Sequence, residues 1–116
     1  MELSSFLQRL NDAPGSVNFN DTMAVIDSLY EFTPTAFTNG ALFNEAGQNN
    51  GSCKLFSFAL LHGLAPQQTL NCFGAYYRDD VLKNAEGTDH QNIRNFMKSG
   101  WAGIKFTGSA LAPKNP

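Results

Sequence analysis

Apolar residues recur at helical spacing from the start of the chain. Leu3, Phe6, Leu7 and Leu10 are separated by three, one and three positions, which predicts an amphipathic helix over residues 3–12. Pro14-Gly15 stops it. Asn20 is placed to cap a second helix, DTMAVIDSLYEF, with Met23, Ile26, Leu29 and Tyr30 on one side and Phe19 as a staple residue before the cap. The period changes over FTPTAFTNGALF, residues 32–43, where Asn39-Gly40 between apolar residues signals a hairpin of two short strands. Pro34 confines the first of these to an edge or an end. Ser52 is the expected cap of CKLFSFALLHG, whose apolar residues go nearly all round, the mark of a central helix that Gly63 ends. Pro66 opens a fourth helix, PQQTLNCFGAYYRDDVLK, with Leu70, Phe73, Tyr77 and Val81 inward. Thr88 and Gln91 read as a capping box for a fifth, DHQNIRNFMKS, with Ile93, Phe96 and Met97 inward and Gly100 as its stop. WAGIKF reads as a last strand that joins the hairpin, because an isolated hairpin is marginal in water. SALAPKNP, residues 109–116, reads as loose. The fold class is α+β: one mainly helical domain over residues 1–112, with about five helices, a small two- or three-stranded antiparallel sheet and a flexible tail at 113–116.

Composition sharpens this picture by exclusion. At 116 residues, 42% hydrophobic and with ten Phe, the chain can bury one core without staples. Charged residues are 16%, below the usual ~25%, so Asn, Gln, Ser and Thr carry much of the polar surface. A net charge of −2 with eight scattered basic residues lacks the electrostatic footprint of a nucleic-acid binder. The longest apolar-rich run, LFSFALLHGLA, is interrupted by Ser57, His62 and Gly63 and falls short of the ~18 residues of a membrane span. MELSSFLQRL has neither the basic nor the apolar region of a secretory signal. These features predict a soluble monomer in a reducing compartment, with no membrane partner.

Candidate chemistry concentrates in two segments. In NEAGQNNGSCKLF, residues 44–56, Cys53 falls at the start of the third helix, where the helix dipole and free N–H groups favour a thiolate. A cysteine nucleophile needs a base. His62, nine residues on along the same helix, lies on the opposite face and roughly 13 Å further along. His90, at the start of the fifth helix, is the candidate base, with Gln48 as an oxyanion donor and Asn44, Glu45 or Asp89 as candidate orienters. Over about ten residues this order is loosely similar to papain-like cysteine hydrolases. The competing reading makes Cys53 a small buried residue after a turn, as Cys72 between Leu70 and Phe73 is. In the second segment, DHQNIRNFM, Asp89, Asn92 and Arg94 occupy non-core positions, and Arg94 suits a bidentate grip on a carboxylate or phosphate. The alternative pairs Arg94 with Glu86 or Asp80 and bonds Asn92 to a loop. With Asn44, Glu45 and Asn49, these residues form the candidate binding surface for a protein or a small molecule. Cys53, Cys72, His62 and His90 show no metal-ligand spacing, Arg78, Asp79 and Asp80 read as a solvated face, and no Gly-rich phosphate loop follows a strand, so neither metal nor cofactor is expected.

The blocks FTPTAFTNG (32–40), NEAGQNNGSCKLFSFA (44–59), QQTLNCFGAYYRDDVL (67–82) and GTDHQNIRNFMKSGWAGI (87–104) resemble, in order, the HopJ family, named for a type III secretion effector of plant-pathogenic pseudomonads. The resemblance covers about residues 20–112. It implies no established reaction, cofactor or catalytic residue, and the first function reading is therefore binding, with a cysteine hydrolase or transferase built on Cys53 and His90 as the alternative. It also implies delivery into a host cell as one location. The predicted helix near residue 3, in place of a flexible serine-rich N-terminus, instead predicts residence in the bacterial cytoplasm.

Overall fold

The computed structural model describes residues 2–114. Helix α1, Leu3–Asp12, follows the predicted periodicity and buries Phe6 and Leu10. A single 3-10 turn at Pro14–Ser16 separates it from α2, Phe19–Leu29. The cap of α2 is Asn18 rather than Asn20. Its Oδ1 accepts the Asp21 N–H at 2.8 Å and its own N–H reaches the Asp21 carboxylate, a capping box with Asp in the place usually held by Glu. That start puts Phe19 inside the helix, so it is no staple.

The second helix also ends early. Tyr30–Phe32 is strand β1, which pairs antiparallel with β5, Leu111–Pro113. The C-terminal segment read as loose is thus paired through Pro113, and the Lys114 N–H continues to the Leu29 carbonyl; residues 115 and 116 lie outside the described residues. Local periodicity failed at both ends because a two-stranded ribbon joins segments about 80 residues apart, a pairing no local pattern encodes.

The hairpin forms as predicted. β2, Phe37–Asn39, and β3, Leu42–Asn44, flank a turn in which Gly40 has φ +61°. β4, Ile104–Phe106, pairs with the other side of β2, so the order is β3-β2-β4. β2 is therefore central, and Pro34 lies before the strand.

Helix α3, Asn50–Leu61, is the central element. Leu55, Phe56, Phe58 and Ala59 are fully buried, and Phe56 packs against Phe37, Phe73, Phe96 and Trp101 at ring-centroid separations of 5.0–6.3 Å. Its end is a Schellman motif: the Gly63 N–H bonds the Leu60 carbonyl, the Leu64 N–H bonds the Ala59 carbonyl, and Gly63 takes φ +62°.

The predicted long fourth helix is broken. α4, Pro66–Asn71, gives way at Gly74, and Tyr76–Val81 continues as a π-helical turn with the Leu82 N–H bonded to the Tyr77 carbonyl. Gly74 has φ +62°, and a Cβ there would stand 2.8 Å from the Asn18 Cα and the Phe19 N. The break brings this segment against the start of α2. Arg78 locks it there by donating to the carbonyls of Pro14, Asn71 and Val17, so Arg78 is no part of a solvated face. α5, Gln91–Ser99, begins after His90, and Gly100 at φ +58° leads into a 3-10 turn before β4. Thr88 is not its cap; the Gln91 side chain donates to the Thr88 carbonyl.

A cleft between two helix starts

The two polar segments singled out by the sequence are neighbours. Asn39 on β2, Asn44 at the end of β3 and Asn92 in the first turn of α5 are buried together. The Asn44 and Asn92 side chains exchange amide hydrogen bonds at 3.0 and 3.1 Å. Asn39 Nδ2 donates to the Asn92 backbone carbonyl at 2.7 Å and to its Oδ1 at 3.0 Å, and Asn49 Nδ2 donates to Asn44 Oδ1 at 2.7 Å. A buried network with nearly every group satisfied fixes geometry, because any shift strands a polar group in low dielectric. Here it holds the starts of α3 and α5 side by side against the hairpin.

Those starts share an unusual backbone. Asn49 and His90, the caps of α3 and α5, have φ 51° and 50° and are the two non-glycine residues with positive φ among the described residues. Neither helix receives a side-chain cap hydrogen bond. Asn49 spends its amide on Asn44, and the His90 ring turns to Asp80. The first-turn N–H groups of a helix have no intrahelical partner, so both starts keep free donors and a positive dipole end.

Both starts open onto one cleft of about 390 Å³. α3 contributes Gly51 and Ser52 beside Asn49, and α5 contributes Gln91, Asn92 and Ile93 beside His90. The remaining walls include Leu42 and the aromatic rings of Phe19, Phe73 and Tyr76. Phe19 lies 5.3 Å from Tyr76 edge-on and 6.2 Å from Phe73 nearly parallel, while the Tyr76 and His90 rings are 5.2 Å apart. Gly51 permits the approach of Phe19, since a Cβ there would stand 2.8 Å from the Phe19 Cζ. The Asp80 carboxylate on the π-helical turn accepts a hydrogen bond from His90 Nε2 at 3.0 Å, tying that turn to the start of α5.

The sequence candidates divide around this cleft. Asn49, His90 and Asn92 line it, and Asn44 supports it from beneath through the amide network. Gln48 closes a tight turn by accepting the Glu45 N–H at 3.2 Å, and neither of the pair lines the cleft. Cys53 is 1% exposed, and its thiol donates to the Thr35 carbonyl at 3.4 Å. Burial pushes that thiol up from its ordinary value. The imidazole of His90 bonds Asp80, so thiol and ring each bond elsewhere. Cys72 is likewise core, with burial pushing its thiol up to about 12. His62 bonds the Tyr30 hydroxyl at 2.8 Å, and burial holds its ring below the usual histidine range.

Arg94 is 9% exposed and committed within the chain, though not to Glu86 or Asp80. It donates to the carbonyls of Asp89, Asn84 and Ala85 and to the Asp89 carboxylate at 2.6 Å, closing the loop before α5. The Arg94 hydrogen bond holds the Asp89 carboxyl below its ordinary value. The residues that the sequence missed are Phe19, Gly51, Ser52, Tyr76, Asp80 and Gln91. A signal existed for Tyr76: of two adjacent tyrosines on one segment, only one can face the core, and the structure buries Tyr77 and leaves Tyr76 exposed.

The family model of the HopJ type III effector protein matches residues 3–111. The chain belongs to the HopJ type III effector family. Its fold is also that of a solved crystal structure of the unknown-function protein VPA0580, with 56% sequence identity, a TM-score of 0.96, and coverage of 98% of this chain and 95% of that one. No curated protein matches. Among the described residues of this HopJ chain no group of His, Cys, Asp and Glu is arranged to hold a metal ion, and no helix is long and apolar enough to cross a membrane.

Proposed function

We propose that this HopJ-family chain is a binding protein whose ligand is a small molecule seated in the cleft between the starts of α3 and α5. The observation that carries the reading is the convergence of two uncapped helix starts, both led by residues in left-handed backbone, on one concavity. Strained backbone persists only where its surroundings over-determine it, and such positions cluster at functional sites. A volume of about 390 Å³ falls within the ~300–1,000 Å³ range of small-molecule sites, which favours a small molecule over a protein surface as the occupant. The cysteine-hydrolase alternative draws no support from the geometry, since a nucleophile must reach substrate and Cys53 is buried. The binding role fits action in the bacterial cytoplasm and action after delivery into a host cell alike.

The test is equilibrium dialysis of the protein against a small-molecule extract, with retained compounds identified by mass spectrometry. The control is Ser52→Phe, which places a ring in the cleft from a residue that makes no side-chain hydrogen bond in the fold. The expected result is a compound retained by the native chain and lost from a folded Ser52→Phe variant. Equal retention by both chains, or none by either, contradicts the reading.

A further inference from the structure

The charge and ring content of the cleft narrow the ligand class, on the premise that the cleft is the binding site. Among the described residues no lysine, arginine, aspartate or glutamate lines it. His90 is its one titratable imidazole, and the Nε2 of that ring is already taken by Asp80. The two positive helix ends disfavour a cation, and no lysine or arginine stands in the walls to give a buried anion a full counter-charge. The polar wall groups that the fold leaves open are instead the Ser52 hydroxyl and the amide oxygens of Asn49 and Gln91, beside the free N–H donors of the two helix starts. Opposite in character are three aromatic side chains. Phe73 is almost fully buried, Phe19 is half-buried, and Tyr76 is 43% exposed although it packs against both Phe19 and His90. A tyrosine left open beside two rings presents stacking surface that the fold itself does not use.

From this pairing of neutral hydrogen-bonding groups with open aromatic surface, we infer that the cleft recognises an uncharged, planar, ring-bearing molecule with a hydrogen-bonding edge. The ring stacks with Tyr76 and Phe19, and the edge meets the amides and free N–H groups at the starts of α3 and α5. An aromatic carboxamide is the simplest compound with both properties. The volume accommodates more than one ring, since a cavity of about 150 Å³ suffices for benzene.

Three probes separate the elements of the inference: benzamide, its saturated counterpart cyclohexanecarboxamide, and benzoate. Each is titrated into the full chain labelled with ¹⁵N, following the backbone amides of Gly51, Ser52, Tyr76 and Gln91. The expected result is saturable shifts of these amides with benzamide, at an affinity about three- to tenfold above that for cyclohexanecarboxamide. Benzoate binds more weakly than benzamide. Tyr76→Leu removes most of the preference for the aromatic ring, and Tyr76→Phe retains it. Equal binding of the saturated and aromatic amides overturns ring recognition while leaving the cleft a ligand site. Tighter binding of benzoate overturns the neutral class and assigns the helix starts to an anion. Shifts in none of these amides with any probe overturn the ring proposal, and if the dialysis described above also retains nothing, the cleft reading falls with it.

Discussion

Replacing Asn92 with alanine is the sharpest perturbation of the framework that shapes the cleft. The Asn92 side chain accepts from Asn39 Nδ2 and Asn44 Nδ2 and donates to Asn44 Oδ1. After truncation Asn39 Nδ2 keeps the Asn92 backbone carbonyl at 2.7 Å, and Asn44 Oδ1 keeps the Asn49 amide. Asn44 Nδ2 keeps nothing, and Asn44 is 1% exposed, so water does not replace the lost partner without local opening. One orphaned buried donor costs about 1–3 kcal/mol, and the two weakened neighbours add about 1 kcal/mol between them. The expected loss for Asn92→Ala is therefore about 2–4 kcal/mol, measured by urea unfolding with linear extrapolation. With an unfolding entropy of about 2.1 cal/mol/K per residue, each kcal/mol corresponds to roughly 4 °C, so Tm falls by roughly 8–16 °C. Asn44→Ala in the Asn92→Ala background removes the orphan, so the double variant is more stable than the summed single losses by about 1 kcal/mol or more. A single loss below about 0.5 kcal/mol, or strict additivity of the pair, refutes the idea that reciprocal amide bonds hold the two helix starts together.

Other consequences are simpler to check. Gly74→Ala destabilises by about 2 kcal/mol or more in the same unfolding assay, because it combines a left-handed backbone with backbone atoms 2.8 Å from the new Cβ; Gly63→Ala, equally left-handed but with open space around it, loses only about 1 kcal/mol. Neither Cys53 nor Cys72 reacts with a thiol reagent at neutral pH in the native chain, and both react in denaturant, because burial raises both thiols. The folded His62 ring binds its proton less readily than the unfolded one, whose ordinary value is 6.5, so the unfolded chain binds more protons as pH drops. Stability from this group is fully present above about pH 6.5 and is lost as pH falls through the lower folded value; His62→Gln flattens that slope in a pH series of unfolding curves.

What the sequence disclosed follows from how far each signal reaches along the chain. The amphipathic α1, the Asn39-Gly40 hairpin, the all-round apolar α3 and the Gly63 stop depend on neighbours a few residues apart, and each formed, though α3 starts at Asn50 behind Asn49 rather than at Cys53 behind Ser52. The β1–β5 ribbon did not show, because its strands are three residues each and their pairing partner is distant. The break at Gly74 did not show either. Glycine within a helical pattern is tolerated in general, and only the approach of Asn18 and Phe19 makes the break necessary. At the cleft, the polar-rich segments 44–53 and 89–95 meet through Asn44 and Asn92. The roles within them were not readable. Asn44 and Asn92 turn inward to one another, Arg94 serves its own loop, and Phe19 and Tyr76 arrive from two other elements far apart in the chain.

The most direct test of the account is amide chemical-shift mapping of the ¹⁵N-labelled chain against a set of small neutral and charged fragments, without prior choice of ligand. The fragments that bind are expected to shift a contiguous group around the cleft, including Gly51, Ser52, Tyr76, His90, Gln91 and Ile93. Binding confined to the apolar hollow beside Leu60, Leu61 and Phe106, with the cleft amides unmoved, contradicts it.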